Sequence, residues 1–143
     1  MPYARIEDLV HAYSDAVSCK NTPQLRETWD PDAVWELQPG KPIQGIEAIV
    51  AVFEAAIGSL AHVIQVVYNG AYEVDASGDT ATGRYYVQEF FQRASGEKGT
   101  LLAHYDDEYA RGEDGWRFKR RRLVLRYAGN DDLAGSFDEP RLG

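Results

Sequence analysis

The sequence predicts an α+β protein in which helices pack on one face of an antiparallel sheet. Three helix-like amphipathic segments occupy residues 6–57, and four strand-like runs follow between residues 62 and 127. Helices followed by consecutive strands with short connections are typical of such a layer. A chain of 143 residues is long enough for one domain with its own core. We therefore expect a single domain over residues 1–143, with its core at about 4–127 and a C-terminal tail at 128–143.

The first helix is predicted from apolar residues that recur every three or four positions: Ile6, Leu9, Val10, Tyr13, Ala16 and Val17. The segment Cys19-Lys-Asn21 ends this helix. Thr22-Pro23 begins a second helix, because threonine caps helices and proline fits the first helical position, and Asp30-Pro31 ends it. A third apolar stripe runs from Ile46 to Ile57, and Gly58 is its predicted C-cap.

Strand-like segments fill the rest of the chain. A short one is predicted from Ala33 to Leu37, and the four longer runs are expected to form an antiparallel meander: residues 62–74, 80–93, 100–111 and 116–127. Asn69-Gly70 allows two interpretations, a tight hairpin turn or a bulge within one strand. We favour the bulge, because Asp75-Ala-Ser-Gly-Asp79 is the better turn sequence.

Composition and charge exclude several classes of protein. The formal net charge is −8, so the chain would repel nucleic-acid phosphates, and the basic run Lys119-Arg-Arg-Arg122 is interpreted as a strand with solvated side chains. No apolar run reaches the ~18 residues of a membrane span. The N-terminal segment Met1-Pro-Tyr-Ala-Arg-Ile6 lacks an apolar export sequence. We expect a soluble, cytoplasmic protein that binds neither nucleic acid nor a membrane.

The sequence contains no recognised motif for a metal, nucleotide or flavin cofactor. Its single cysteine, Cys19, excludes an internal disulfide framework, and its three histidines are scattered. A glycine-rich phosphate loop, a nucleophile elbow and a His-Glu-x-x-His pair are all missing. The prediction is a protein without a metal or cofactor.

Six short segments, in their order and spacing, carry a family resemblance: Ile6-Glu-Asp-Leu9, Asp32-Ala-Val-Trp35, Gly45-Ile-Glu-Ala-Ile49, Asp79-Thr-Ala81, Asp107-Glu-Tyr109 and Gly115-Trp116. With these segments the chain resembles the SnoaL-like polyketide cyclase group of the nuclear transport factor 2-like superfamily. That superfamily also contains ketosteroid isomerases, scytalone dehydratase and hexachlorocyclohexane dehydrochlorinase. The resemblance implies a cone-shaped, cystatin-like α+β barrel, in which three helices pack on a strongly curved antiparallel sheet and enclose a pocket. This fold hosts unrelated activities, so it does not fix the function.

In the dehydratase and dehydrochlorinase branch, an aspartate late in the first helix orients a histidine base on an early strand. The resemblance puts Ser18 at the aspartate position. It puts Val66 at the histidine position, or Gln65 if the register slips by one. The dyad is therefore predicted to be absent.

His62 is the first candidate for a replacement base. It lies four residues before Val66, so strand alternation turns it to the same face, towards the inside of the cone near its rim. Glu89 is its candidate partner, because the resemblance puts the face shared by Tyr85 and Glu89 inward. Burial among aromatic rings would raise the pKa of this carboxyl. The alternative is that His62 is a connector residue that faces water.

A second candidate base lies on the next strand. Alternation puts Tyr105 and Asp107 on one face and His104 on the other. By its resemblance to scytalone dehydratase, the first face is expected to point inward. His104 would then point outward, where this family often forms a subunit interface, although a catalytic His104 is the alternative.

Arg121 and Trp35 match pocket residues of the dehydrochlorinase. Arg121 would hold an anionic or enolate oxygen, or it would pair with Asp107 on a neighbouring strand. Trp35 would form a wall for a ring-shaped substrate, or it would belong to the core. Tyr13 and Tyr85 would donate phenolic protons to a carbonyl, or they would only pack.

These observations predict a cofactor-independent lyase or isomerase that abstracts a proton from a small hydrophobic, ring-containing molecule in an enclosed pocket. His62 or Asp107 is the predicted base, a tyrosine the acid, and Arg121 the group that stabilises negative charge. The predicted substrate contacts are Tyr13, Trp35, Tyr85, Glu89 and Tyr105. The alternatives are a ligand-binding module without chemistry and a homodimeric interaction scaffold. The expected partners are a small hydrophobic molecule and further copies of the chain, as a homodimer or a higher homo-oligomer.

Overall fold

The computed structural model describes residues 3–141, within which it has three helices and six strands. The first two and last two residues, which belong to the predicted N-terminal segment and C-terminal tail, lie outside the described residues. In chain order the elements are α1 (Ile6–Ser18), α2 (Thr22–Glu27), β1 (Trp29–Glu36), β2 (Pro42–Gln44), α3 (Ile46–Gly58), β3 (Leu60–Val74), β4 (Thr80–Arg93), β5 (Lys98–Gly112) and β6 (Gly115–Gly129).

The helices follow the predicted apolar stripes. The C-cap of α3 is Ser59, one residue after the predicted Gly58, and α2 shows two further differences. The N-cap of α2 is Asn21, whose side chain accepts a hydrogen bond from the backbone N–H of Gln24, so the predicted cap at Thr22 is wrong by one position. The helix ends at Glu27, and the chain is already extended at Trp29, before Asp30-Pro31. No helix within residues 3–141 is both long and apolar enough to cross a membrane.

One sheet contains all six strands, in the order β2-β1-β6-β5-β4-β3. The four long strands pair antiparallel in sequence order, which confirms the predicted meander. β1 differs, because it pairs in parallel with β6, and β2, which was not predicted, pairs antiparallel with β1. The sheet curves around the helices without closing, since the edge strands β2 and β3 do not pair with each other.

The bulge at Gly70 bends β3. The strand runs without interruption from Leu60 to Val74, but its pairing with β4 shifts register between Val67 and Gly70. This confirms the bulge and excludes the hairpin turn. The ring of Tyr85 packs directly on Gly70, where there is no Cβ to obstruct it. The missing side chain thus allows the sheet to curl tightly at this point.

The core lies between the concave face of the sheet and the helices. Its centre is a group of aromatic rings in edge-to-face or tilted contact, with centroids 5.5–6.0 Å apart: Tyr13, Trp29, Trp35, Tyr105, Tyr109 and Phe118. Such geometry is favourable for aromatic pairs. These rings come from α1 and three different strands, so they connect the helical layer to the sheet.

Residues 130–141 turn back along the outer side of the sheet. The Nζ of Lys98 donates hydrogen bonds to the carbonyl oxygens of Leu133 (2.9 Å) and Gly135 (2.6 Å). The ring of Phe137 stacks on His62 with centroids 5.4 Å apart. The predicted tail is therefore attached to β3 and β5.

The close packing at Gly70 leads to a stability prediction. In Gly70→Ala the new Cβ would lie 2.6 Å from the carbonyl oxygen of Arg84 and would collide with the Tyr85 ring. We expect a loss of about 1–3 kcal/mol in the free energy of unfolding, measured by urea denaturation.

Gly58→Ala is the matched control, because no atom lies within 4 Å of a Cβ built at Gly58 at the end of α3. Alanine is a better helix former than glycine by about 1 kcal/mol, so this variant should equal or exceed the parent in stability. Similar losses in both variants would contradict the steric explanation.

Candidate functional site

A chamber of about 190 Å³ lies between α1, α3 and the concave face of the sheet. Most of its wall is apolar and includes the side chains of Val17, Leu37, Phe53, Ile57, Leu101 and Leu123. The volume is smaller than the roughly 300–1,000 Å³ typical of sites for drug-sized ligands. The chamber is therefore mostly apolar and smaller than a typical site for a drug-sized ligand.

Five polar side chains line this chamber among the described residues: Tyr13, Trp35, Gln65, Glu89 and Tyr105. They come from α1, β1, β3, β4 and β5, so only the folded sheet brings them together. Four of them were predicted as substrate contacts, and Gln65 was considered only as an alternative register. We call these five side chains the chamber group.

Glu89 is the one carboxyl group in the chamber group. Its Oε2 accepts a hydrogen bond of 3.2 Å from the Nε2 of Gln65. Burial raises the pKa of Glu89, and the hydrogen bond from Gln65 opposes this shift. A carboxyl whose pKa is raised towards neutral pH can both accept and release a proton at neutral pH.

Two serines on α1 hold the backbone of Gln65. The hydroxyl of Ser14 donates to the Gln65 carbonyl oxygen, and the Gln65 backbone N–H donates to the Ser18 hydroxyl oxygen, both at 2.8 Å. Ser18 thus contacts position 65, and the residue that faces it on β3 is Gln65. Which β3 residue corresponds to the family's histidine stays a prediction, with Val66 and Gln65 as its alternatives, and Gln65 is the one whose backbone Ser18 contacts.

The hydroxyl groups of Tyr13 and Tyr105 lie 3.3 Å apart. Burial raises the pKa of both tyrosines, while the positive charge of Arg121 opposes the shift, so both phenols are neutral. Two hydroxyls that share a single hydrogen bond use one proton in it. The other proton has no acceptor within residues 3–141 and is available to an oxygen of a bound molecule.

Arg121 and Asp107 form a buried ion pair beneath these tyrosines. The Arg121 Nε and Nη2 donate to the two carboxylate oxygens at 2.8 and 3.1 Å, and Tyr109 donates to the same carboxylate at 2.8 Å. Burial disfavours the charged guanidinium, but Asp107 reverses this and raises the pKa of Arg121. The guanidinium carbon lies 3.8 Å from the ring centre of Tyr105 and 4.4 Å from that of Tyr13.

This geometry separates the two interpretations of Arg121 and Asp107. Both side chains point inward, as predicted, but neither lines the chamber. The alternative interpretation, an ion pair across neighbouring strands, is the one that the structure shows. Asp107 has hydrogen-bond donors on both oxygens, so this geometry gives no support to Asp107 as the base.

His62 lies on the outer side of β3, so the prediction that it points into the cone is wrong. Strand alternation turns Val63 and Gln65 inward and His62 outward. Its ring stacks on Phe137, and its Nε2 lies 3.9 Å from a carboxylate oxygen of Glu139. His62 is therefore separated by the sheet from Glu89, its predicted partner.

His104 points away from the chamber, as predicted, and Tyr85 points inward without reaching it. The Nδ1 of His104 lies 3.4 Å from an Arg126 nitrogen, and burial lowers the pKa of this histidine. Tyr85 packs on Gly70 instead of lining the chamber. The predicted contact between Tyr85 and a substrate is not supported by this position.

The described part of the chain offers no metal site, because no three His, Cys, Asp or Glu side chains lie close enough together to bind one ion. The predictions that the protein uses no metal and no cofactor remain predictions. The chemistry available within the chamber is that of one carboxyl group, one amide, one indole N–H and two phenols.

The fold and the chamber define a small cone-shaped α+β protein with a mainly apolar interior site. The sequence profile of the SnoaL-like domain matches residues 2–122, which is most of the chain. The protein therefore belongs to the SnoaL-like family, within the nuclear transport factor 2-like superfamily. No curated protein matches the chain significantly.

Solved structures with this fold cover nearly the whole chain. Hexachlorocyclohexane dehydrochlorinase LinA type 2 is 22% identical, with a TM-score of 0.81 over 96% of this chain and 92% of that chain. A protein provisionally named scytalone dehydratase, from Novosphingobium aromaticivorans, is 19% identical, with a TM-score of 0.81 over 90% and 86%. A provisionally named aromatic ring hydroxylase from the same species is 26% identical, with a TM-score of 0.80 over 88% and 90%.

The buried ion pair leads to a prediction for the folded state. Arg121→Met leaves the Asp107 carboxyl buried without its counterion, and the free energy of unfolding should fall by about 3–5 kcal/mol. Arg122→Met is the control, because Arg122 pairs with Asp106 at the protein surface and its loss should cost about 1 kcal/mol or less. Chemical denaturation of both variants measures the difference.

The double variant Arg121→Met/Asp107→Leu identifies the cause. If the loss comes from an uncompensated charge, removing that charge should restore much of the stability. A double variant no more stable than Arg121→Met would instead assign the loss to packing around the aromatic rings.

Proposed function

We propose that this protein is a cofactor-independent lyase or isomerase that moves a proton on a small hydrophobic, ring-containing molecule. Glu89 is the base in this proposal, in place of the sequence-predicted His62 or Asp107. The observation that carries it is a single carboxyl group with a raised pKa in an apolar chamber whose wall also holds two neutral phenols. A base and an acid near one small cavity are what a proton transfer requires.

The proposed first step uses Glu89 and the Tyr13–Tyr105 pair. The Glu89 carboxylate takes a proton from a carbon next to a substrate carbonyl. The electron pair of that C–H bond forms a carbon–carbon double bond, and the π pair of the carbonyl moves to its oxygen. The free phenolic proton of the Tyr13–Tyr105 pair forms a hydrogen bond with this oxygen as its negative charge develops. Arg121 does not act on this oxygen directly, because it is paired with Asp107 and lies behind the Tyr105 ring.

The second step decides between an isomerase and a lyase. In an isomerisation, the protonated Glu89 returns its proton to a different carbon of the same molecule. In an elimination, the enolate formed in the first step expels a leaving group from the carbon next to the deprotonated one. Glu89 then gives its proton to that leaving group. Both routes balance without an oxidant, a reductant or a cofactor.

The structural neighbours support this class of reaction. The names dehydrochlorinase and dehydratase describe the removal of hydrogen chloride and of water, and both are eliminations. The resemblance to that branch implies a histidine base on this strand, and Gln65 is one of the two residues predicted at that position. The Gln65 side chain on β3 donates a hydrogen bond to Glu89 on β4, so Gln65 contacts an ionisable group on the neighbouring strand.

A ligand-binding module without chemistry is the second candidate. The observation that favours it is the contact between Ser18 and Gln65, which are predicted to replace the aspartate–histidine dyad. Neither side chain titrates, so this contact provides no base. The open chamber supports both ligand-based proposals over a pure interaction scaffold. A homo-oligomer is compatible with each, and exposed apolar side chains on the outer face, such as Leu102 and its cross-strand partner Tyr127, would suit such a contact.

Proton abstraction can be tested before the natural substrate is known. Cyclohexanone and 2-cyclohexenone, incubated with the protein in D₂O, should exchange hydrogens next to the carbonyl faster than in protein-free buffer, as measured by NMR. Glu89→Gln should lower this exchange by roughly 10²- to 10⁴-fold, because it removes the base and keeps the shape. Glu73→Gln, at an exposed position on β3, is the matched control and should leave exchange unchanged.

Equal exchange in the parent and in Glu89→Gln would refute Glu89 as the base. Binding of the ketones without any exchange in the parent protein would favour the binding module instead.

The raised pKa of Glu89 predicts a pH profile with a defined sign. The base is the unprotonated carboxylate, so the exchange rate should rise with pH and level off once Glu89 is ionised. The midpoint should lie above the ordinary glutamate value of about 4.3, because burial disfavours the charged form. A profile that is flat from pH 4 to 8, or a midpoint at or below 4.3, would contradict a desolvated base.

A further inference from the structure

We infer that the chamber selects an uncharged cyclic molecule that carries both a hydrogen-bond donor, such as a hydroxyl, and a separate acceptor oxygen. Gln65 recognises the donor and Trp35 recognises the acceptor. This inference deepens the proposed function, because it concerns the ligand of the same chamber. It also makes a claim about binding alone, which is measurable even if no reaction takes place.

The first observation is an unpaired acceptor on Gln65. The amide nitrogen of this side chain donates to Glu89, so its oxygen atom remains for another partner. This Oε1 is buried and has no hydrogen-bond partner among the described residues, and Gln65 as a whole is only 7% exposed. A buried acceptor without a partner is costly, and a donor on a bound molecule would remove that cost.

The second observation is an unpaired donor on Trp35. Its indole Nε1 is buried without a partner within residues 3–141, and the residue is 4% exposed. An indole N–H can only donate, so the complementary ligand atom is an acceptor oxygen. Only five buried side-chain polar atoms of the described chain lack a partner, and two of them belong to chamber-lining residues. One of these two atoms accepts hydrogen bonds and the other donates them, so the complementary ligand carries both a donor and an acceptor.

The third observation is the absence of a free positive charge at the chamber wall. Arg121, the nearest guanidinium to the chamber group, is neutralised by Asp107 and does not line the cavity. An anionic ligand would meet the Glu89 carboxyl without a compensating cation, in a chamber whose wall is mostly apolar. The expected ligand is therefore neutral, with a single ring that fits a volume of about 190 Å³.

Four probe compounds of the same ring size separate these requirements. 4-Hydroxycyclohexanone carries the donor and the acceptor, cyclohexanone carries only the acceptor, cyclohexanol joins both roles in one atom, and cyclohexanecarboxylate adds a charge. Dissociation constants come from NMR titration of the full chain. We expect 4-hydroxycyclohexanone to bind about tenfold more tightly than cyclohexanone or cyclohexanol, and the carboxylate to bind most weakly.

Two conservative variants assign each preference to its residue. Gln65→Leu should abolish the advantage of 4-hydroxycyclohexanone over cyclohexanone, because the acceptor for the hydroxyl is gone. Trp35→Phe keeps an aromatic ring and removes the N–H, so it should reduce the advantage of 4-hydroxycyclohexanone over cyclohexanol to what the Tyr13–Tyr105 pair alone provides. Each comparison is a ratio within one variant, so a general loss of packing affects both compounds and cancels.

Three results would overturn the inference. These are equal binding of 4-hydroxycyclohexanone and cyclohexanone by the parent protein, preferences that persist in both variants, and tightest binding of the carboxylate. Failure of the proposed function is a separate result, because it would appear as no hydrogen exchange, or exchange independent of Glu89, whatever the order of the binding constants.

Discussion

The buried ion pair between Arg121 and Asp107 is the interaction on which the site depends. It joins β5 to β6 on the concave face, and its guanidinium supports the rings of Tyr13 and Tyr105. Such a pair adds little net stability, since two charges must lose their water, but breaking it leaves an uncompensated charge in a medium of low dielectric. The pair therefore acts as a constraint: α1, β5 and β6 must keep one relative position.

That constraint also sets the electrostatics of the chamber. Because Arg121 is neutralised and lies behind the tyrosines, the cavity has no bare cation at its wall, and Glu89 is its single carboxyl among the described residues. A carboxyl in such surroundings favours its neutral form, which moves its pKa towards the range useful for proton transfer. The tyrosine pair remains neutral for the same reason and can only donate or share protons.

The contact between α1 and β3 is made by neutral groups. Ser18 and Ser14 bind the backbone of Gln65 through hydrogen bonds. The helix thus fixes the strand at this place. The ionisable group next to this contact is Glu89 on β4, which meets the Gln65 side chain.

Much of the fold followed from local patterns. The stripe from Ile6 to Val17 specifies α1, because residues three and four apart share a helix face. The alternation in the strand after Thr80 specifies which of its side chains face the helices. The bulge at Gly70 was also predictable, since a better turn follows it in the sequence. The presence of Tyr13, Trp35, Glu89 and Tyr105 in the chamber was expected from the same alternation and from the family resemblance.

The tertiary structure alone decided the remaining features. β3 carries apolar residues on both faces, Val63 inside and Ile64 outside, so its alternation could not show that Gln65 points inward and His62 outward. The parallel pairing of β1 with β6 joins residues far apart in sequence, and no local pattern encodes it. The sequence determined which residues share a face, because that depends on the repeat of a single element. Only the curl of the whole sheet determined which faces meet around a cavity and which charges neutralise one another, because these depend on distances between elements.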